Sequence, residues 1–256
     1  MQFIGSAVTD VGISKKTNQD SVCVKIAETK RHGQIAMVVL CDGMGGLEKG
    51  ELASATVIRA FSDWFDNELP KTIDKISWKD LAADWEKMAK EQNYLIGQYG
   101  KRIDSLLGTT LTAMLVIEGK YLIIHVGDSR AYVISDSVEQ LTEDQTFIAR
   151  EIKAGRMTPE EAAVHPKRNM LLQCVGASRN VEPQIIIGKI KKDSIYMFCS
   201  DGFRHVLTNE EIFESLNPAK ATSIITMLQN GKHLIDIVKN RNEKDNITVA
   251  LLKCFE

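Results

Sequence analysis

Short apolar runs recur along most of the chain, and most of them are bounded by Gly, Asp, Asn or Ser, which is typical of β-strands. Nine such runs are FIGSAVT, DSVCVKIA, QIAMVVLC, TTLTAMLVI, YLIIHVG, RAYVI, PQIIIGKI, SIYMFCS and NITVALL. The stretch TAMLVIEGKYLIIHV predicts a hairpin that turns at Glu118, Gly119 and Lys120. A chain rich in short strands is expected.

Two long stretches repeat apolar residues at helical spacing instead. The first begins at Glu51 and the second at Ser77, with apolar positions Ala53, Val57, Ala60, Phe61, Trp64 and Phe65, and Trp78, Leu81, Trp85, Met88 and Leu95, respectively. Capping boxes predict shorter helices after Thr158 and Thr208. Because the strands follow one another with helices inserted in pairs, the pattern favours an α+β fold of antiparallel sheets with helices outside over alternating βαβ units.

Composition narrows the class of protein. The 256 residues are 44% hydrophobic and 26% charged, enough for one large core, so a single domain over residues 1–256 is expected. The segment at about 141–180 is the most polar and irregular part and is predicted to be a flap-like excursion beside the sheets. Net charge is -2 with Lys and Arg scattered, which argues against a nucleic-acid partner.

The expected location is the cytoplasm. No window approaches the roughly 18 apolar residues of a membrane span, and no basic segment precedes an apolar run at the amino terminus. The five cysteines are widely spaced without a C-x-x-C pair, which argues against a disulfide framework and a zinc site. A soluble monomer in a reducing compartment, without a membrane partner, is the expectation.

Aspartates stand where apolar runs begin or end: Asp20, Asp42, Asp128, Asp201 and Asp245. Each alone is ordinary turn chemistry. Carboxylates gathered at one rim of a core repel each other and lose hydration, so such a cluster needs cations. With oxygen donors, and without a His or Cys pair, the site favours Mg²⁺ or Mn²⁺ over zinc. Two such ions can lower the pKa of a bridging water and clamp a phosphoryl group.

Spacing excludes the competing phosphate chemistries. GMGGLEKG has Glu48 before Lys49 and lacks the following Ser or Thr of a P-loop. No cysteine has an arginine six positions later, and Met44 stands where a phosphoaspartyl D-x-D motif needs its second acid. Of the mechanisms compared for phosphate chemistry, attack by metal-bound water is the one that the sequence leaves open.

Several motifs in order, NQD, CDGMGG, GTT, VGDSRAYV, LTEDQT, HPKRN, CSDGF and DNITV, resemble the bacterial type of the PP2C (PPM) metal-dependent protein serine/threonine phosphatases over nearly the whole chain. The resemblance implies two packed antiparallel β-sheets flanked by helices. It also implies hydrolysis of phosphoserine and phosphothreonine by a metal-bridged hydroxide without a covalent intermediate. The implied partners are phosphorylated proteins and the Ser/Thr kinase that the enzyme opposes.

The resemblance assigns roles to single residues. Asp42 would bridge two Mn²⁺ or Mg²⁺ ions and the Gly43 carbonyl would bind the first, while Asp201 and Asp245 would complete the second. Asp42 and Asp201 are the candidate catalytic residues. Asp20 would orient metal-bound water.

Two further residues extend this site. The resemblance implies that Asp128, with Asp201, holds the third metal of many bacterial members. Lys15 stands where the family commonly has a phosphate-binding arginine; it supplies the charge without the bidentate fork. Gln19 replaces a frequent acidic residue, and Met44 replaces the histidine that many eukaryotic members use as a general acid.

Several other polar or reactive side chains are expected to have structural rather than catalytic roles. His165 before Pro166 is expected to be a turn residue rather than a substitute acid, and Arg168 a surface charge that could contact substrate. His125 is expected in the core, and Cys41 and Cys199 as small buried apolar residues.

Two other functions stay open. Gln19, Lys15 and Met44 leave room for a pseudophosphatase that binds phosphoproteins without turnover, although a binding module has no need of Asp42, Asp201 and Asp245 together. A metal-dependent phosphodiesterase or small-molecule phosphatase would share the metal chemistry.

Overall fold

The computed structural model describes residues 1–45, 49–75 and 77–255. Gly46 of the CDGMGG motif, and Leu47 and Glu48 of the stretch tested as a P-loop, lie outside the described residues. The strands are β1 (Gln2–Asp10), β2 (Asp20–Thr29), β3 (Gly33–Gly45), β4 (Leu107–Thr109), β5 (Leu111–Ile117), β6 (Lys120–Val126), β7 (Arg130–Ile134), β8 (Val138–Gln140), β9 (Gln184–Lys189), β10 (Ser194–Cys199) and β11 (Ile247–Phe255). The helices are α1 (Gly50–Asn67), α2 (Leu69–Thr72), α3 (Trp78–Arg102), α4 (Phe147–Lys153), α5 (Pro159–Val164), α6 (Asp201–Arg204), α7 (Asn209–Leu216) and α8 (Ile224–Asn240).

The strands form two sheets that pack face to face. The first sheet has the order β1-β11-β10-β7-β8, and the second has the order β2-β3-β5-β6-β9 with β4 paired to β3. The pairings between these strands are antiparallel. Helices α1 and α3 cover the outer face of the second sheet, and α7 and α8 cover that of the first. The predicted α+β arrangement of two antiparallel sheets flanked by helices is confirmed.

Strand β3 shows how the sequence builds these layers. Val38 and Leu40 face the first sheet, whereas Val39 and Cys41 face α1 and α3, because successive side chains of a strand point to opposite faces. All four are fully buried. A strand covered on both faces therefore reads as a continuous apolar run, as VVLC does.

The predicted local signals are mostly present. Glu118 and Gly119 form the β5–β6 hairpin turn with φ of 48° and 72°, the left-handed conformation that a tight hairpin requires. Thr158 and Thr208 cap α5 and α7 with complete capping boxes. The prediction of two long helices was incomplete, because α8 is a third, which begins after a Ser223–Thr226 capping box.

The residues expected in the core are buried there. His125 is fully buried, and its ring nitrogens lie 2.9 Å from Thr112 Oγ1 and 3.1 Å from the Gly127 carbonyl oxygen. Burial lowers the pKa of His125 to about 4. Cys41 and Cys199 are also fully buried, and burial raises the pKa of both thiols.

The segment at 141–180 contains α4 and α5 and is held by two short β-bridges, Thr146 with Leu171 and Thr109 with Val175. Its action as a flap, and a single catalytic domain over residues 1–256, stay predictions. Among the helices of the described residues, none combines the length and apolar character needed to cross a bilayer.

Candidate metal centre

Strands β2 and β3 bring the first two aspartates together. Asp20 begins β2 and lies directly opposite Asp42 in the antiparallel register, so the two side chains point to the same face. The backbone of Asp42 is held by the GTT motif: its N–H donates to Thr110 Oγ1 at 2.9 Å, and its carbonyl accepts from Thr109 Oγ1 at 3.0 Å. This motif thus fixes the position of Asp42.

The other three aspartates come from strand ends of the facing sheet. Asp201 begins α6 directly after β10, Asp245 precedes the neighbouring strand β11, and Asp128 lies between β6 and β7. Burial, followed by the negative charges of Asp20, Asp201, Asp128 and Asp245, raises the pKa of Asp42 well above its usual range. The structure therefore brings all five predicted aspartates into one electrostatic cluster.

Burial also raises the pKa of Asp20 and Asp128 to about 7, with the Asp201 charge adding to both. Thr248 Oγ1 donates to Asp20 Oδ2 at 2.6 Å and acts in the opposite direction. The remaining oxygens Asp20 Oδ1 and Asp201 Oδ1 are buried and accept no hydrogen bond. Buried carboxylate oxygens without donors are the groups that a hard divalent cation ligates.

The donor set fits Mn²⁺ or Mg²⁺, because it consists of carboxylate oxygens and a backbone carbonyl. Within the described ranges, no three His, Cys, Asp or Glu side chains already form a metal-binding group. The cluster thus has the donor types of a divalent-cation site, but its side chains do not form a ready-made set of three ligands in the described residues.

Two glycines, Gly43 in β3 and Gly50 at the start of α1, let the backbones of these two elements approach each other closely beside the cluster. A Cβ on Gly43 would lie 2.3 Å from the Gly50 oxygen and 2.5 Å from the Gln19 oxygen, so only glycine allows α1 to begin so close to β3. The Gln19 carboxamide lies between Gly43 and Gly50. With its nitrogen towards Gly43, it donates to that carbonyl at 3.2 Å and accepts from the Gly50 N–H at 3.2 Å.

Lys15 contacts the cluster through Asp245, and its Nζ is 2.9 Å from Asp245 Oδ1. Partial burial lowers the pKa of Lys15, but the pair with Asp245 and the charges of Asp42 and Asp201 outweigh burial, so that the pKa is raised. Without metal, the ammonium therefore compensates part of the negative charge.

Asn246 has a structural role that the sequence analysis did not assign. Its Oδ1 accepts from the Gln19 N–H at 2.9 Å, and its Nδ2 donates to the carbonyls of Val11 at 2.9 Å and Thr17 at 3.1 Å. This buried amide ties the loop that carries Lys15 to the start of β11. The only available signal was its place in the DNITV motif.

A buried ion network was also missed. Arg130 binds both oxygens of Asp144 at 2.7 Å, and Arg204 Nη2 lies 3.4 Å from Asp144 Oδ2. The same nitrogen donates to the Asp128 carbonyl at 3.0 Å, so the network positions the Asp128 loop. VGDSRAYV contains Arg130, LTEDQT contains Asp144, and Arg204 directly follows CSDGF, but nothing in the sequence paired them.

A cavity of about 770 Å³ opens between the cluster and the 141–180 segment. Lys15, Asp128, Asp201 and Asp245 line it, together with Arg168 from that segment. His165 instead stacks on Phe147 at 5.4 Å between ring centroids, and its Nδ1 accepts from the Lys167 N–H. His205, which was not singled out, lines the cavity with Nε2 3.6 Å from Asp201 Oδ2.

Known proteins share this architecture. The sequence profile of the family described as Protein phosphatase 2C matches residues 13–232. The Mycobacterium tuberculosis serine/threonine protein phosphatase PstP is 30% identical over 249 residues, which are 96% of this chain and 44% of that protein. The chain thus spans less than half the length of this relative.

Two solved structures superpose on the fold. The S. agalactiae serine/threonine phosphatase has a TM-score of 0.84 at 29% identity and covers 99% of this chain and 100% of that one. The catalytic domain of PstP in complex with two manganese ions has a TM-score of 0.80 at 28% identity, with 99% of each chain covered.

Proposed function

The chain belongs to the protein phosphatase 2C family, and we propose that it is a metal-dependent phosphatase of phosphoserine and phosphothreonine residues in proteins. The observation that carries the proposal is the convergence of Asp20, Asp42, Asp128, Asp201 and Asp245, with two buried carboxylate oxygens that lack a donor. The names of the bacterial relatives, and the manganese ions in a PstP structure, support the same activity.

Asp42, Asp201, Asp245 and the Gly43 carbonyl would hold two Mn²⁺ or Mg²⁺ ions, and Asp128 with Asp201 would hold a third. When bound, such ions would lower the pKa of a water and so make hydroxide available for attack on phosphorus, without a covalent enzyme intermediate. Burial, followed by the negative charges of the neighbouring aspartates, raises the pKa of Asp42. Bound divalent ions would compensate these negative charges.

The remaining residues orient this centre. Thr248 binds Asp20 through Oδ2, and the buried Oδ1 has no donor, so that this oxygen would be free to accept a proton from the nucleophilic water. Gln19 holds the Gly43 carbonyl in place. Lys15 supplies positive charge for the substrate phosphate, but its ammonium binds as a point charge and lacks the planar fork of an arginine.

The natural substrates would be phosphorylated proteins, and the opposing enzyme a bacterial Ser/Thr kinase. We propose that the chain acts as a monomer in the cytoplasm and that residues 1–256 form one catalytic domain. Leaving-group protonation would not involve Met44, because a thioether carries no transferable proton.

A phosphoprotein-binding module without turnover is the second candidate function. The observation that favours it is the Lys15–Asp245 ion pair at 2.9 Å, in which a side chain of the protein occupies one oxygen of a candidate metal ligand.

Phosphate release from a phosphothreonine peptide, with Mn²⁺, Mg²⁺ or chelator, tests the proposal. The wild type should be active only with metal. Asp42→Asn and Asp201→Asn should abolish turnover, whereas the exposed Asp136→Asn, which lies away from the cavity, should keep it. A wild type that binds Mn²⁺ but releases no phosphate would reject the enzyme in favour of the binding module. Faster turnover of a phosphodiester than of the peptide would reject the proposed substrate class.

A further inference from the structure

The exposed charged residues of the cavity lining all have one sign, whereas the partly exposed ones include both signs. Those that are exposed are all cationic: Lys15, Arg168 and Lys244. The carboxylates of the lining are at most partly exposed. Two of these carboxylates, Asp144 and Glu243, are not members of the aspartate cluster. Asp144 accepts a hydrogen bond from Arg130, and Glu243 accepts from two backbone N–H groups of its own loop. The mouth of the cavity is therefore positive around a negative floor.

Arg168 and Lys244 approach this mouth from different elements. Arg168 follows α5 in the 141–180 segment, and Lys244 lies in the turn between α8 and β11. Within the part of the chain that the structure describes, neither side chain has an ion-pair partner. Lys15 differs, because it already pairs with Asp245.

The sequence around Arg168 reinforces this asymmetry. Between Glu161 and Glu182 the chain contains Lys167, Arg168 and Arg179 but no acidic residue. Lys167 lies with its Nζ 5.1 Å from the centroid of the Phe147 ring. Of the residues between Glu161 and Glu182 that line the cavity, Arg168 is the charged one, so this part of the mouth carries positive charge without an acidic residue nearby in sequence.

We propose that Arg168 and Lys244 bind acidic side chains that flank the phosphorylated residue, so that the preferred substrates are phosphoproteins whose phosphosite lies in an acidic segment. This inference rests on the proposed function and names its substrate class. Cations bound by the floor carboxylates would compensate their negative charge, which leaves the field at the mouth to the exposed cations. Each exposed pair contributes about 2- to 5-fold in affinity, and salt screens it.

The test uses one phosphothreonine peptide in three versions, with flanking aspartates, alanines or lysines, at saturating Mn²⁺. For the wild type, kcat/KM should fall in the order Asp, Ala, Lys, with the Asp peptide about 10-fold better than the Lys peptide at low salt. The ratio should shrink towards 1 at about 0.5 M salt. Arg168→Glu combined with Lys244→Glu should reverse the order.

Arg179→Glu and Lys232→Glu are matched controls, because both residues are exposed and neither lines this cavity. They should keep the wild-type order. Equal rates for the three peptides, or the same loss of preference in the controls, would overturn the inference while leaving the phosphatase intact. If no peptide is hydrolysed, the proposed function fails. The inference is then tested by the affinities of the same three peptides, measured by fluorescence anisotropy, which should fall in the order Asp, Ala, Lys.

Discussion

Asp20 and Asp42 are direct cross-strand partners in the β2–β3 register, so two carboxylates occupy one neighbouring pair at the edge of the core. Like charges directly opposite each other destabilise a sheet. Burial raises the pKa of both groups, and their mutual repulsion raises that of Asp42 further. The fold therefore maintains this pair at a cost in stability that a bound divalent cation would offset.

Asp42→Asn should raise the stability of the metal-free protein and remove its response to metal. Replacing one charge by an amide relieves repulsion of about 1 kcal/mol. Mn²⁺ at about 100 times its Kd should stabilise the wild type by about 2.7 kcal/mol, because it binds only the folded state. Thermal unfolding with chelator and with Mn²⁺ measures both effects. Equal stabilisation of wild type and Asp42→Asn by Mn²⁺ would contradict a role of Asp42 as ligand, and Asp136→Asn should respond as the wild type does.

The stability of the metal-free protein should fall as pH rises from 6.5 to 8.5. Asp20 and Asp128 have a folded-state pKa of about 7, above the unfolded value of 3.8, so the folded state binds these protons more tightly and loses that advantage as they dissociate. Asp20 and Asp128 together account for a loss of about 2 kcal/mol in this window, and Asp42, whose pKa is raised further, adds to the fall in the same direction. Urea unfolding at both pH values measures it.

One other buried group has to be separated from this pH effect. Titration of His125, whose pKa is lowered to about 4, raises the stability with pH, and it does so below about pH 6.5. Two controls isolate the contribution of the carboxyl groups. Asp20→Asn should remove part of the fall, and Mn²⁺ should abolish it, because bound cations favour the ionised carboxylates. A fall that is unchanged by both would assign the effect to other groups.

Gly43→Ala should inactivate and destabilise the protein. Its Cβ would meet backbone oxygens of Gly50 and Gln19 at 2.3 Å and 2.5 Å, which forces α1 away from β3. Gly231→Ala is the matched control, because a Cβ in this part of α8 would lie at an ordinary 3.4 Å from Val8 Cγ2. The control should gain up to about 1 kcal/mol of helix propensity and stay active. An active Gly43→Ala would show that the close approach is dispensable.

Asp144→Ala should cost about 3–5 kcal/mol, because it leaves Arg130 and Arg204 without their shared, mostly buried carboxylate. Asp136→Ala removes only an exposed pair with Lys191 and should cost less than about 1 kcal/mol. Chemical denaturation of both variants gives the comparison. Similar small losses would mean that the two arginines find other partners or water.

The fold was largely predictable, because its signals are local. A strand buried on both faces is visible in VVLC, the hairpin turn in Glu118–Gly119, and the helix starts in the capping residues Thr158 and Thr208. Helix α8 was overlooked, although Met227, Leu234, Ile235 and Val238 repeat at helical spacing. Gly231 stands on the same face of the helix and interrupts the apolar pattern, although a Cβ there would make ordinary contacts with Val8 and Val249.

The composition of the candidate site was predictable, but the contacts that hold it were not. Each aspartate stands where an apolar run begins or ends, and such boundaries can be located in the sequence, although β3 continues beyond Asp42 to Gly45. The bond from Gln19 to Asn246 and the pair of Lys15 with Asp245 join residues more than two hundred positions apart. Such contacts depend on the order of strands in the sheets, which hydrophobic periodicity does not specify.

The central position of β11, between β1 and β10, has a consequence for the timing of synthesis. A nascent chain makes β1 more than two hundred residues before β11, the strand that pairs with it among the described residues, so β1 waits for this partner while the intervening residues are translated. Asp245 and Asn246 arrive with that strand. We expect the aspartate cluster to form only after β11 has been translated, because contacts so distant along the chain form slowly. In a chain translated in this order, the five aspartates cannot come together before β11 has joined its sheet.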